Sequence, residues 1–243
     1  MTPLLEVADL TKRFGGVTAL DGCGFAVREG TVTGLIGPNG SGKTTAFNVI
    51  TGYLRADAGD VVLAGRRVAR PAPAAMHRRG VARTFQRARV FGELSALENL
   101  VVAAGHPRWS VFTARVARGE ADLARRLLDE FGLADVADLP AARLSYGQRK
   151  LVEFAAVLMS GPRLVLLDEP TAGVNPTLVE TMEHHIRAQR AAGVTFLVVE
   201  HDIGVVMRLC DPVVVMDHGA RIAEGPPHAV RTDPGVVDAY LGE

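Results

Sequence analysis

The stretch that most constrains this chain is Gly37-Pro38-Asn39-Gly40-Ser41-Gly42-Lys43-Thr44-Thr45. It follows the pattern G-x-x-x-x-G-K-T, which has to leave a buried strand and open a helix if it is to cradle phosphates. Both flanks agree. Thr31-Val-Thr-Gly-Leu-Ile before it reads as a short buried strand, and Thr45-Ala-Phe-Asn-Val-Ile after it reads as a helix with an apolar face. Glycines let the backbone turn its N–H groups inward, and the helix N-terminus adds a partial positive charge. Lys43 is placed to reach terminal phosphates, and the Thr44 hydroxyl to ligate Mg²⁺.

Composition sets the outer limits. With 243 residues and 48% hydrophobic content, the chain can bury one large domain or two small lobes. Lys+Arg and Asp+Glu are both 27, so no global positive field draws it to nucleic acid. Cys23 and Cys210 lie far apart and make neither a disulfide framework nor a metal cluster, which suits a reducing cytoplasm and two small buried side chains. The first residues lack a signal peptide's basic start and apolar run, and no apolar run approaches the ~20 residues that span a bilayer. Any membrane role then needs a partner. Lys12, Lys43 and Lys150 are the only lysines in an arginine-dominated chain. A slim ammonium fits a ring of backbone N–H groups where a planar guanidinium does not.

Taken in order, Leu4–Leu10 predicts a strand, Thr11–Gly16 a turn and Ala19–Val27 a second, antiparallel strand. Phe14, beside two glycines, is either a core aromatic under the turn or a flat ring for a base to stack on. Asp57–Asp60 reads as a turn, Val61–Gly65 as a strand and Arg66–Arg79 as surface. Gly80–Gln86 predicts a strand ending on an amide that can ligate Mg²⁺ or position water. The arginines around it (Arg78, Arg79, Arg83, Arg87, Arg89) read as a solvated face.

From Leu94 the period becomes helical. His106-Pro107 breaks the first helix, and Trp109 and Phe112 fall in a loop. Ala124, Leu127, Leu128 and Phe131 share one helix face; Leu151, Phe154, Ala155, Leu158 and Met159 share another, stopped by Gly161-Pro162. Before that helix, Ser145-Tyr146-Gly147-Gln148 has the S-x-x-Q form of a capping box, and its hydroxyl and N–H groups also suit an anion. Leu164-Val-Leu-Leu-Asp168-Glu169 is a doubly buried strand ending in two carboxylates, one for Mg²⁺ and one to polarise water. Asn175 and Pro176 look like an N-cap and its N1 residue. Val194–Glu200 is a strand that delivers His201 to the sheet edge, with Asp202 as the next cap. Pro212–Gly219 and Ala220–Gly225 form a hairpin ahead of a short helical tail.

A phosphate loop, a strand-end Gln86, the Leu144-Ser-Tyr-Gly-Gln148 helix start, the Asp168-Glu169-Pro170 strand and the strand-end His201, in this order, resemble an ABC-type ATPase. The likeness covers essentially the whole chain. It implies an α/β fold: a P-loop NTPase core of the RecA type, with an N-terminal antiparallel β segment and an inserted helical subdomain. Residues 1–86 and 162–243 would form the core lobe and 87–161 the helical signature subdomain. The resemblance assigns Phe14 to adenine stacking and Gly37 to Thr45 to the nucleotide's phosphates. It assigns Lys43, Gln86, Glu169 and His201 to catalysis, and Thr44, Gln86 and Asp168 to Mg²⁺. Two subunits would pair head to tail, so that Ser145, Tyr146, Gly147 and Gln148 act in trans on the partner's ATP and Asn175 lies in the loop speaking to the opposite site. Phe14, Tyr146 and Asn175 depart from the commoner tyrosine, glycine and aspartate.

Gly80-Val-Ala-Arg-Thr-Phe-Gln, Leu-Ser-Tyr-Gly-Gln, Ala-Gly-Val-Asn-Pro and the ending Ala-Tyr-Leu-Gly-Glu243 further resemble the G-type ATPase of branched-chain amino acid importers. That likeness implies ATP and Mg²⁺ as cofactors. Its implied partners are a second ATPase subunit, F-type or identical, and membrane permease subunits that hold the chain on the inner face of the membrane. An extracytoplasmic solute-binding protein would take part indirectly, and no nucleic acid. Urea or amide import and lipopolysaccharide export are the alternative transport readings. A non-transport ABC ATPase would predict a second cassette, a coiled-coil insertion or a basic face, none of which is visible in the sequence.

Overall fold

A computed structural model describes residues 3–85, 89–104 and 114–241. Its first strands, β1 (Leu5–Phe14) and β2 (Val17–Val27), form a hairpin, followed by β3 (Val32–Ile36) and α1 (Lys43–Ile50). Next come β4 (Ala58–Leu63), β5 (Arg66–Arg67), α2 (Pro73–Arg78) and β6 (Val81–Arg83). Three helices follow: α3 (Ala96–Ala103), α4 (Ala114–Glu130) and α5 (Tyr146–Leu158). The chain then alternates through β7 (Leu164–Asp168), α6 (Pro176–Ala191), β8 (Thr195–Val199), α7 (Ile203–Leu209) and β9 (Val213–Asp217). It ends with β10 (Ala220–Gly225), α8 (Pro227–Arg231) and α9 (Pro234–Leu241).

Two sheets result. One is antiparallel in the order β2-β1-β4-β5; the other runs β10-β9-β3-β8-β7-β6, parallel except for β10 at its edge. All five residues of β3, of β7 and of β8 are buried, as strands covered on both faces must be. Alternation divides them between two cores. Leu35, Leu166, Leu197 and Val214 face Phe47 and Ile50 of α1, which is sandwiched between the two sheets. Ile36, Val165, Val198 and Val215 face the core completed by α3 to α7.

The two helical stripes expected at Ala124–Phe131 and Leu151–Met159 are buried and face this second core. Phe131 meets Phe154 edge-to-face at 5.4 Å between centroids, and Phe154 meets Phe196 of β8 at 6.3 Å. Each such pair adds about 0.5–1.5 kcal/mol beyond its buried area, so the helices are fastened to the sheet through a ladder of rings.

Three segments differ from the sequence expectation. β1 continues through Thr11–Phe14, where a turn was expected. Register shifts after Val7, Leu10 and Lys12 interrupt the strict alternation by which a strand is recognised. Ala58-Gly59-Asp60 opens β4 instead of making a turn. A Cβ on Gly59 would stand 2.3 Å from the Asp9 carbonyl oxygen, so the glycine serves close strand packing. The surface stretch Arg66–Arg79 contains α2, started by Pro73 at its first turn and anchored by buried Met76. Gln86, Arg87, His106, Pro107, Trp109 and Phe112 lie outside the described residues.

α6 is held to the end of α4 by an unusual contact. His185 is buried and stacks on Phe131 at 3.9 Å with planes 6° apart, while its Nδ1 is buried without a hydrogen-bond partner. Burial, and secondarily His184, hold the His185 pKa below its ordinary 6.5. The unfolded chain therefore takes up this proton at a higher pH than the folded one. The stability contribution is present above about pH 6.5 and is lost as pH falls. Urea unfolding at about pH 7 and about pH 5 should show this loss, and His185→Leu should flatten it. An unchanged acid dependence in the variant would assign the effect to other groups.

Candidate active site

The phosphate loop leaves β3 and enters α1 under tight backbone contact. A Cβ on Gly37 (φ 147°) would stand 2.0 Å from the Met216 carbonyl oxygen, and one on Gly42 (φ 101°) 2.4 Å from that of Ala19. Only glycine satisfies both. The loop is further tied by Ser41 N–H to Pro38 O at 3.2 Å and Gly219 N–H to Ser41 O at 3.0 Å. Lys43 Nζ donates to the carbonyls of Gly37 and Pro38 at 2.7 Å each and to Ser41 Oγ at 3.2 Å. The first turn of α1 has no acidic residue, and its Gly42 N-cap supplies no side chain, which leaves the helix dipole for an external anion. Gly37 and Pro38 are buried, while Asn39, Gly40 and Thr44 are exposed and Thr45 is half-buried.

Strand register brings the remaining chemistry to the same edge. Leu35 of β3 pairs with Val199 of β8, and Val199 pairs with Asp168 of β7. One row across the sheet thus sets the loop, His201 and the two acids at the carboxyl ends of parallel strands, where such folds bind ligands. Glu169 Oε1 lies 3.0 Å from His201 Nε2. Glu169 adopts a left-handed backbone, φ 49°, at a cost on the order of 1–3 kcal/mol. Its N–H donates to Val199 O at 2.9 Å, and its carbonyl accepts from Lys150 Nζ at 3.2 Å, which hold the residue in that conformation.

Asp168 is buried, and its Oδ2 accepts from Arg83 Nη2 at 2.7 Å. Arg83 is therefore not on a solvated face as the sequence suggested; a buried carboxylate at the end of the neighbouring strand draws it in. Thr44 and Asp168 offer the hard oxygen donors that Mg²⁺ prefers. Phe14 ends β1, 47% exposed, and pairs with Val17, two residues before the Ala19 that abuts Gly42. An accessible ring beside the loop suits base stacking better than the core reading does.

Ser145–Gln148 forms the expected capping box: Gln148 N–H donates to Ser145 Oγ at 3.2 Å, and Ser145 N–H to Gln148 Oε1 at 2.9 Å. This start of α5 faces the loop after β7 rather than the phosphate loop. Tyr146 Oη donates to Ala172 O at 3.3 Å, and a Cβ on Gly147 would stand 2.4 Å from a Leu178 methyl carbon. A groove of 550 Å³ separates Ser145 from Asn175, whose side chain caps α6 by accepting from Leu178 N–H at 2.9 Å. Asp202 caps α7 in the same way.

Sequence reasoning missed three groups around the acids. Glu200 Oε1 accepts from Thr171 N–H at 2.9 Å and Thr171 Oγ1 at 2.7 Å, tying the loop after β7 to β8. Lys150 and Glu153 reach down from α5. Burial pushes the Lys150 ammonium below the usual lysine value and the Glu153 carboxyl above its own. Glu153 Oε1 accepts the N–H groups of Phe85 and Arg89 at 3.2 Å each. The one available signal was Lys150, a lone lysine among arginines. Burial raises the Cys23 and Cys210 thiols to about 11 and about 12, in keeping with unreactive packing residues.

These features have close counterparts. A family model described as ABC transporter matches residues 20–172, and one described as branched-chain amino acid ATP-binding cassette transporter matches residues 220–243. The chain is 40% identical to the high-affinity branched-chain amino acid transport ATP-binding protein BraF of Pseudomonas aeruginosa, over 99% of this chain and 98% of that one. It is 38% identical to the probable branched-chain amino acid transport ATP-binding protein LivG of Methanocaldococcus jannaschii, with the same coverage. Two crystal structures, a nucleotide-free ATP-binding cassette from an ABC transporter and a cassette in its ADP conformation, superimpose with TM-score 0.89 at 37% identity over 100% of both chains. With a nucleotide loop, an acidic strand end and near-complete coverage by such relatives, the chain belongs to the ABC transporter family as one of its ATP-binding, ATP-hydrolysing subunits.

Proposed function

We propose that this subunit powers import of branched-chain amino acids. The contact that carries the hydrolytic reading is Glu169–His201 at 3.0 Å, on the strand edge that also holds the phosphate loop. Glu169 acts as general base on the attacking water, and His201 orients that water and the carboxylate. Lys43 and the N–H groups of residues 39–45 balance charge building on the terminal phosphate, and Phe14 stacks on the adenine. Thr44 and Asp168, with Gln86, would hold Mg²⁺, which would supply further charge neutralisation. The amino-acid assignment is supported by the match of residues 220–243 and by the names of the relatives.

Pairing with a second ATPase subunit, identical or F-type, brings Ser145–Gln148 onto the partner's ATP and Asn175 toward the opposite site. The exposure of Ser145 and Tyr146 beside an open groove supports that reading. Residues 87–161 then serve as the signature lobe and 1–86 with 162–243 as the nucleotide lobe. Among the described residues no helix is long and apolar enough to cross a membrane. Permease subunits hold the chain at the inner membrane face and engage the half-buried Leu94 region. The contact surface is a cleft of 260 Å³ lined by Tyr53, Phe85, Phe91 and Val102, with Phe91 61% exposed. A solute-binding protein delivers cargo from outside.

Glu169→Gln should lower turnover by about 10²–10⁴ while ATP still binds; near-normal hydrolysis would remove Glu169 as the base. Ser145→Arg should leave ATP binding by the monomer intact and block nucleotide-dependent pairing. Light scattering with a non-hydrolysable ATP analogue reads this directly, and an undiminished dimer fraction would refute the role in trans. Reconstituted with its co-purified permease, the protein should show ATPase stimulation by binding protein loaded with leucine. Stimulation by urea-loaded protein alone would reassign the cargo.

A further inference from the structure

Arg83 ends β6 beside β7, with its backbone opposite Leu166. Nη2 donates to Asp168 Oδ2 at 2.7 Å, and both side chains are 6% exposed. Nη1 donates to Asn48 Oδ1 at 2.7 Å and to Thr51 Oγ1 at 3.3 Å, at the far end of the helix that the phosphate loop opens. The guanidinium carbon lies 5.4 Å from the Phe47 ring centroid and 5.1 Å from that of Phe85, and Nε is buried without a hydrogen-bond partner. A guanidinium that is desolvated, flanked by two rings and bonded to one carboxylate oxygen is not a surface charge that happens to be near.

A buried carboxylate left alone is costly, so Asp168 needs a counter-charge whether or not a metal is bound. We propose that Arg83 is a positioning residue for Asp168, supplying that counter-charge and thereby holding back divalent cation binding until a nucleotide arrives. The inference rests on the assignment of Asp168 to Mg²⁺ above. A dication meeting the neutralised pair gains little and is repelled by the guanidinium. Phosphate oxygens add the negative charge and the ligands that turn the balance. Because Arg83 also bonds Asn48 and Thr51, the helix leaving the phosphate loop fixes the guanidinium, and a shift of that helix is felt at Asp168. Arg83 engages Oδ2, so the carboxylate need not release the guanidinium to offer a cation its other oxygen.

The test is Mn²⁺ binding to the full chain, followed by the electron paramagnetic resonance signal of free Mn²⁺, with and without a non-hydrolysable ATP analogue. Without nucleotide, Arg83→Gln should bind Mn²⁺ at least about tenfold more tightly than wild type, while Arg83→Lys, which keeps the charge, should stay within about threefold. Equal or weaker binding by Arg83→Gln would overturn the proposal. If that variant fails to fold by circular dichroism, the double variant Arg83→Gln with Asp168→Asn, which removes both charges of the pair, decides. Its nucleotide-free Mn²⁺ affinity should match wild type, because the neutralised pair adds little, and a clear drop would overturn the idea. With the analogue present, Asp168→Asn must weaken Mn²⁺ binding. No change there would sink the metal role of Asp168 itself, whereas a failure confined to Arg83→Gln would sink only the inference about Arg83.

Discussion

Backbone crowding around the phosphate loop is the constraint from which the rest of the site follows. With 2.0 Å between a hypothetical Gly37 Cβ and the Met216 oxygen, and 2.4 Å between one on Gly42 and the Ala19 oxygen, the loop is clamped between β9 and β2. A loop free to collapse would satisfy its own N–H groups. A clamped one cannot collapse in that way, and α1 adds its uncapped dipole. The parallel sheet supplies one side of the clamp and the antiparallel sheet the other, which is why α1 lies between the sheets. The position of the acids depends on the same sheet, since Asp168 and Leu35 are both registered against Val199.

α5 contacts both the acidic strand end and the linker after β6. Its N-terminus presents Ser145 and Tyr146 to the outside, and one turn on, Lys150 holds the carbonyl of Glu169. Glu153, a turn further, holds the N–H groups of Phe85 and Arg89 within the linker from β6 to α3. The left-handed backbone at Glu169 is stiffened by one of those contacts, so the catalytic reading and the signature reading share a physical link within one subunit.

Much of this was legible residue by residue. The capping box at Ser145 and Gln148, the caps at Asn175 and Asp202, the two buried helical stripes and the doubly buried acidic strand are local patterns, and the structure contains them as read. Misreadings fell where contact with a distant strand overrode local pattern. β1 runs on through its register shifts, and Gly59 serves the closeness of β1 and β4 rather than a turn. Arg83 belonged by sequence to a run of arginines, and nothing local separates it from Arg78 or Arg79 on the surface.

By itself the sequence determined the phosphate loop, the acids and histidine at strand ends, and the order in which they occur. These depend on residue type, spacing and periodicity within a few turns of chain. Only the tertiary structure decided which partner each group meets: His201 on Glu169, Lys150 on the Glu169 carbonyl and Arg83 on Asp168, 85 residues away. The reason is physical. A charge becomes a counter-ion or a surface group according to what else is buried with it, and burial is a property of the assembled sheets rather than of neighbours along the chain.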